Sequence, residues 1–289
     1  MSQKQFHQEL EKGLPDSRYL LTASDAFLLY DALNDIRRVF GGEDPFAVEV
    51  FDLGFPEDCP PLSAVVDILR TIPFFASRKT AVIRNLQKLS KKDASKIEDY
   101  LLSPSPSTVL IMLHEGPIPK VLGSAALKSV KAISLSIPER DIPVWLLERA
   151  QAKGADLTPR AVDYLISAVG TDLGLLHAEI DKVQHAGARG KIDVDTIREV
   201  VYAGAEFGTF DLINALDAGD LRKTFRRHES VKRTADPLII LGALNWHYTK
   251  RGGRAGASVM PLLHEADISI KSSHQHVIEN LLYRLVKNR

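Results

Sequence analysis

Cysteine is almost missing: Cys59, just ahead of Pro60-Pro61, is the sole one in 289 residues. That excludes an internal disulfide and a metal cage of cysteines. Long apolar runs are missing as well, since no stretch approaches the ~20 apolar residues of a membrane span. The polar start Met1-Ser2-Gln3-Lys4-Gln5 lacks the apolar core of a signal peptide, so the expectation is a cytoplasmic chain that engages no membrane. Neither sign of charge is in surplus, with 37 Lys plus Arg against 37 Asp plus Glu. A global field that gathers nucleic acid is thereby excluded, and any nucleic-acid contact must be local or made through a partner. Repeats and low-complexity tracts are absent, and so is the G-x-S-x-G elbow of a hydrolase nucleophile. His274 and His276 stand two apart, a spacing that points them in different directions on a helix, so no metal site is expected.

What is there is an ordinary globular inventory, 45% hydrophobic and 26% charged, enough for two or three domains. Up to Pro138, strand-like and helical patterns alternate. Tyr19 to Thr22 reads as a buried strand, and Asp25 can cap a helix running to about Phe40, closed by Gly41-Gly42. Phe46 to Phe51, Thr80 to Ile83, Thr108 to Leu113 and Ala132 to Ile137 supply further strands, with helices from Leu62 and from Lys91 to Leu102 between them. Five strands separated largely by helices predict a parallel sheet covered on both faces.

After Pro138 no further strand is expected. Helices over Val144 to Lys153, Pro159 to Val169 with Thr158 as cap, Leu173 to Val183 opened by Thr171-Asp172, and Asp193 to Val201 make a small helical domain. Those over Phe210 to Asp217, Leu221 to Arg233, Pro237 to Tyr248 and Val277 to Lys287 make another, all-α region. The predicted class is α/β plus all-α, divided as 1–138, 139–207 and 208–289.

That order of domains raises the question of nucleotide hydrolysis. A phosphate loop of the form G-x-x-x-x-G-K-[ST] supplies backbone N–H groups to the phosphates, a lysine and a hydroxyl for magnesium. After the first strand this chain has only Ala23-Ser24-Asp25-Ala26, and Asp25 would repel phosphate. Where an acidic magnesium pair would end a core strand, Ile83 is followed by Arg84-Asn85. Gly190-Lys191 is an accidental partial match in the helical part. No catalytic residue, cofactor or metal is expected, and His114-Glu115 at a strand end reads as a polar turn.

One joint stands out. Leu62, Val65, Val66, Leu69 and Ile72 recur at helical spacing, Thr80 to Ile83 is β-rich, and Phe74 and Phe75 sit between them behind Pro73. Adjacent residues do not face the same way, so one ring is left outside a single core. From these residues alone the other reading is that one ring closes the sheet core and its neighbour is an incidental surface residue.

Several segments together resemble the delta subunit of the bacterial DNA polymerase III clamp loader. They are Tyr19 to Leu29, Phe74-Phe75-Ala76-Ser77-Arg78 with Val82-Ile83-Arg84-Asn85, Gly170-Thr171-Asp172-Leu173, Phe210 to Leu216, and Leu263 to Ser272, in that order. The resemblance implies an AAA+-like domain without ATPase function, a helical lid over 139–207 and a helical collar over 208–289. It further implies a non-catalytic accessory subunit of the polymerase holoenzyme, which opens the ring-shaped sliding clamp, the beta subunit, with a hydrophobic pair matched here by Phe74 and Phe75. The other implied partners are the gamma/tau and delta prime subunits, and primed DNA through the assembled loader. Phe210, Leu212 and Leu216 are expected to contact those subunits. Arg251 to Val259 stands where the family has further collar helices, so the collar is expected to be abbreviated. The alternatives are a divergent AAA+ or P-loop ATPase, or a helical adaptor unrelated to replication. Arg222, Lys223, Arg226, Arg227, Lys232 and Arg233 read as a solvated helix face, with phosphate contact as the competing reading.

Overall fold

The apolar run from Thr108 onward needs cover on both faces, and it lies in the middle of a five-stranded parallel sheet that gives it. The computed structural model describes residues 2–42, 47–73, 77–186, 190–201, 208–233, 235–272 and 276–287. It divides into two compact units, residues 1–137 and 138–289.

In the first unit the order is α1 (Ser2–Glu11), β1 (Arg18–Ala23), α2 (Ala26–Phe40), β2 (Val48–Asp52), α3 (Leu62–Arg70), β3 (Lys79–Arg84), α4 (Lys91–Leu102), β4 (Thr108–Glu115), α5 (Ser124–Lys128) and β5 (Lys131–Ser134). The strands lie side by side as β2-β3-β4-β1-β5, all parallel, with Leu20 opposite both Met112 and Ala132 and Ile83 opposite Met112. Side chains alternate along a strand. One face carries Leu20, Ala81, Ile83, Leu110 and Met112 into a core with Val65 and Leu69 of α3 and Ile97 and Tyr100 of α4. Helix α2 packs on β1, β4 and β2 through its buried stripe Leu28, Leu29, Ala32, Leu33 and Ile36. Each such aliphatic side chain contributes roughly 1.5–3 kcal/mol on burial.

Helix α1 has no counterpart in the sequence expectation. It docks by burying Phe6 and Leu10, and it carries the buried Glu9, which accepts from the Tyr19 hydroxyl at 2.9 Å and pairs with Lys131 at 2.8 Å. Lys131 also meets Asp16 at 3.0 Å. The Lys131 ammonium, aided by the Tyr19 hydroxyl, holds the Glu9 carboxyl below its ordinary range against the opposing effect of burial.

The second unit runs α6 (Ile142–Ala152), β6 (Asp156–Leu157), α7 (Pro159–Val169), α8 (Leu173–His185), β7 (Lys191–Ile192), α9 (Val194–Val201), α10 (Thr209–Asp217), α11 (Leu221–Val231), α12 (Pro237–Arg251), α13 (Gly253–Lys271) and α14 (Val277–Lys287). The expected caps are made: Thr158 Oγ1 accepts from the Ala161 N–H at 3.1 Å and Asp172 from the Leu175 N–H at 2.8 Å. Helix α7 packs against α6, α8 and α9 and equally against α10 and α12, with the Tyr164 and Phe210 rings edge to face at 5.2 Å.

Three expectations are corrected here. Strands do recur after Pro138, because β6 and β7 pair in parallel, though each is two residues long and too short to show a period. Leu212 and Leu216 do not face outward, since both are buried in a core with Leu241, Leu244, Leu263 and Leu282. The stretch Arg251 to Val259 is no helix-free gap: α12 and α13 meet across Gly252 alone. Gly252 has φ of +57°, which favours glycine, and a Cβ on Gly256 would lie 2.7 Å from the Tyr248 carbonyl oxygen. Those two glycines permit the corner, and burial of Leu262, Leu263 and Ala266 holds a helix that Pro261 and the glycines disfavour.

Candidate functional site

In an open parallel sheet, ligands gather outside the carboxyl ends of the strands. Here β1 leads through Ser24 into α2, and the Asp25 carboxylate accepts from the Phe27 N–H at 2.8 Å. The amides and positive dipole end that would draw a phosphate thus face a fixed anion of the chain itself. Beyond β3, Asn85 adopts φ of +57° and donates to Asp52 Oδ1 at 2.5 Å, while Arg84 pairs with Asp52 at 3.3 Å. Gln87 Oε1 accepts from the Glu115 N–H at 3.2 Å at the end of β4. Beside it His114 is buried, and loss of solvation pushes its pKa down, so it stays neutral. The edge carries the carboxylates Asp25 and Asp52 where phosphates would sit, and among the described residues no cluster of His, Cys, Asp or Glu could hold a metal.

At the other end of the sheet lies the joint between α3 and β3. Phe74 and Phe75 fall outside the described residues, but both flanks are described. Helix α3 stops at Arg70, three residues ahead of Pro73 and short of Ile72, which the helical spacing includes, and its Ile68 and Leu69 carbonyls are engaged. Lys79 Nζ donates to the Ile68 carbonyl and, at 2.8 Å, to Thr71 Oγ1; Thr71 Oγ1 in turn donates to Ile68 O at 2.6 Å. The buried Thr108 hydroxyl donates to Leu69 O at 2.8 Å. A cation at a helix C-terminus is favoured by the dipole. On the far flank Arg78 donates to the Leu14 and Asp16 carbonyls, each at 3.3 Å. Both described flanks of the joint are therefore anchored.

Next to them Ile72 is 78% exposed, unusual for a residue of its class. It borders an open groove of about 560 Å³ with Arg70 and the loop Ser103-Pro104-Ser105-Pro106-Ser107. Sequence reasoning assigned Ile72 to the buried stripe of α3 and gave no role to Lys79, Thr108 or Arg78. The arginine and lysine follow the aromatic pair within four residues and were open to inspection, whereas Thr108 comes from a strand 39 residues after Leu69 in sequence and carries no local signal.

Residues 19–132, which span this sheet and its joint, match the family described as DNA polymerase III, delta subunit. The chain resembles these delta subunits. A curated relative, DNA polymerase III subunit delta of Bacillus subtilis, is 24% identical over 254 residues, covering 82% of this chain and 72% of the relative. Among solved structures, the Bacillus subtilis DNA clamp loader delta protein is similar with a TM-score of 0.56 at 20% identity, over 98% of this chain and 99% of that one. The RuvB Holliday junction branch migration motor of Thermotoga maritima has a TM-score of 0.46 at 14% identity, over 75% of this chain and 74% of that one. The expected parallel-sheet domain followed by helices is the one observed, and the delta protein shares that fold. No helix among the described residues is long and apolar enough to cross a membrane.

Proposed function

We propose that this chain is the clamp-opening subunit of a replicative clamp loader: a non-catalytic, cytoplasmic accessory subunit that binds and opens the ring-shaped sliding clamp for placement on primed DNA. The match of residues 19–132 to the delta family carries the reading. The Asp25 carboxylate at the start of α2 supports the absence of nucleotide chemistry, since it fills the place of a phosphate. Phe74 and Phe75 are the proposed wedge. The anchored flanks support that assignment, because a short span fixed at both ends loses little entropy when it binds. In this reading residues 139–207 act as a lid, and residues 208–289 as a collar that joins the gamma/tau and delta prime subunits.

The deciding experiment is affinity capture of the tagged full chain from its native cell. Recovery of a ring clamp together with loader ATPase subunits is expected. A chain that captures neither, yet binds ATP with magnesium at one-to-one stoichiometry, would replace this reading with the divergent ATPase.

A further inference from the structure

Helix α11 buries Thr224, His228 and Val231 on one side. At 100° per residue, Arg222 and Arg226 then fall within about 40° of one another on the opposite side, and Arg233 follows in the turn just past the helix end at Val231. All three are exposed, as is Lys223 beside them. The one carboxylate in the stripe, Glu229, is taken up by Lys232. Among the described residues no ion pair holds Arg222, Lys223, Arg226 or Arg233. Several other bases in this unit are matched: Arg198 with Asp211 at 3.2 Å, Arg251 with Asp217 at 2.6 Å, Lys271 with Asp267 at 2.7 Å and Arg284 with Glu265 at 2.8 Å. Like charges at i and i+4, as at Arg222 and Arg226, cost ~0.2–0.5 kcal/mol in the free helix. Four exposed cations without an ion pair thus stand close together on a chain with no net charge.

We infer that this stripe is a contact surface for the sugar–phosphate backbone of nucleic acid. Arginine forks fit phosphate oxygens with two donors each. The stripe holds no aromatic or aliphatic anchor of the kind that dominates protein interfaces, which disfavours an acidic protein as its ligand. Its exposed side chains apart from Glu229 are basic and the ring beside Arg222, Phe225, is half-buried, so the contact is chiefly to the backbone and independent of sequence. The inference rests on the replication reading for the source of the strand, primed DNA, but the surface chemistry does not.

The test uses the full chain and fluorescence anisotropy with a labelled oligothymidine and a labelled duplex, titrated to about 100 µM protein, a range suited to non-specific binding. The triple variant R222Q/R226Q/R233Q is compared with wild type and with K120Q/R140Q/K191Q, which removes as much charge elsewhere. Three lost phosphate contacts on a single strand should weaken binding about 100-fold at ~0.1 M salt and flatten the log–log salt slope by about 2. The control variant should lose less than about threefold. Equal losses in both variants, or no binding by wild type at ~50 mM salt, would overturn the inference. So would polyglutamate competing as well as DNA, since that marks a site for acidic protein. Clamp capture by the triple variant separates the two readings: clamp lost from wild type too defeats the loader reading and leaves the surface standing.

Discussion

Replacing Lys79 by methionine removes the cation at the end of α3 while keeping most of the stem that packs beneath it. The Lys79 side chain is only 10% exposed, and its ammonium serves the Ile68 carbonyl and the Thr71 hydroxyl together. A hydrogen bond from a charged donor contributes ~1.5–3 kcal/mol, and the favourable end of the helix dipole ~0.3–1 kcal/mol, partly the same interaction. A loss of about 2 kcal/mol is expected. Thr108→Val, which leaves the neighbouring Leu69 carbonyl without its donor, should cost about 1–2 kcal/mol. Both act on one helix end, so the double variant should lose less than the two losses added. Native-state hydrogen exchange reads this locally, as reduced protection of the α3 and β3 amides with the second unit unchanged. Protection altered by under ~0.5 kcal/mol in Lys79→Met would refute the claim that this lysine holds the frame of residues 74–76.

Other outcomes follow from the same geometry. Replacing Phe74 and Phe75 by serine should abolish clamp capture and leave the far-ultraviolet circular dichroism and the capture of other loader subunits intact; undiminished clamp affinity in the folded variant would remove the wedge assignment. Isothermal titration of the chain with ATP and magnesium should show no stoichiometric heat, because Asp25 occupies the start of α2. Since the folded pKa of Glu9 lies below its unfolded value, its contribution is present above the ordinary glutamate range and is lost as pH falls through the folded value. For Lys131, whose pKa is raised chiefly by Glu9 and then by Asp16, the loss comes as pH rises past the ordinary lysine range. Glu9→Gln should flatten the acid limb of a stability–pH curve and cost about 1–3 kcal/mol at neutrality; an unchanged acid limb would exclude Glu9 as a linked group.

What was legible in the sequence was local. Asp25, Thr158 and Asp172 are read as caps because a cap closes within three residues, and each makes the bond expected of it. The parallel sheet was legible because buried strands must be apolar along their length, as β4 is. The joint that carries the proposed site was legible as a break between helix and strand, but its flanking frame was not. Its anchors come from β4 and from the α1–β1 connection, and pairings at long range leave no trace in a window of the chain. The Glu9–Lys131 pair joins residues more than a hundred apart and was invisible for the same reason. Leu212 and Leu216 show a different shortfall: periodicity finds an apolar stripe but does not say whether the chain or a partner covers it.

The corner at Gly252 and Gly256 bears on which positions of the chain tolerate change. A run rich in glycine and small residues between two helices looks permissive to substitution. With the Tyr248 oxygen 2.7 Å from where a Cβ would stand, Gly256 has no room for a methyl group unless the backbone shifts. In a library of variants an unforgiving site of the second unit should therefore lie inside a segment whose glycines and small residues look forgiving.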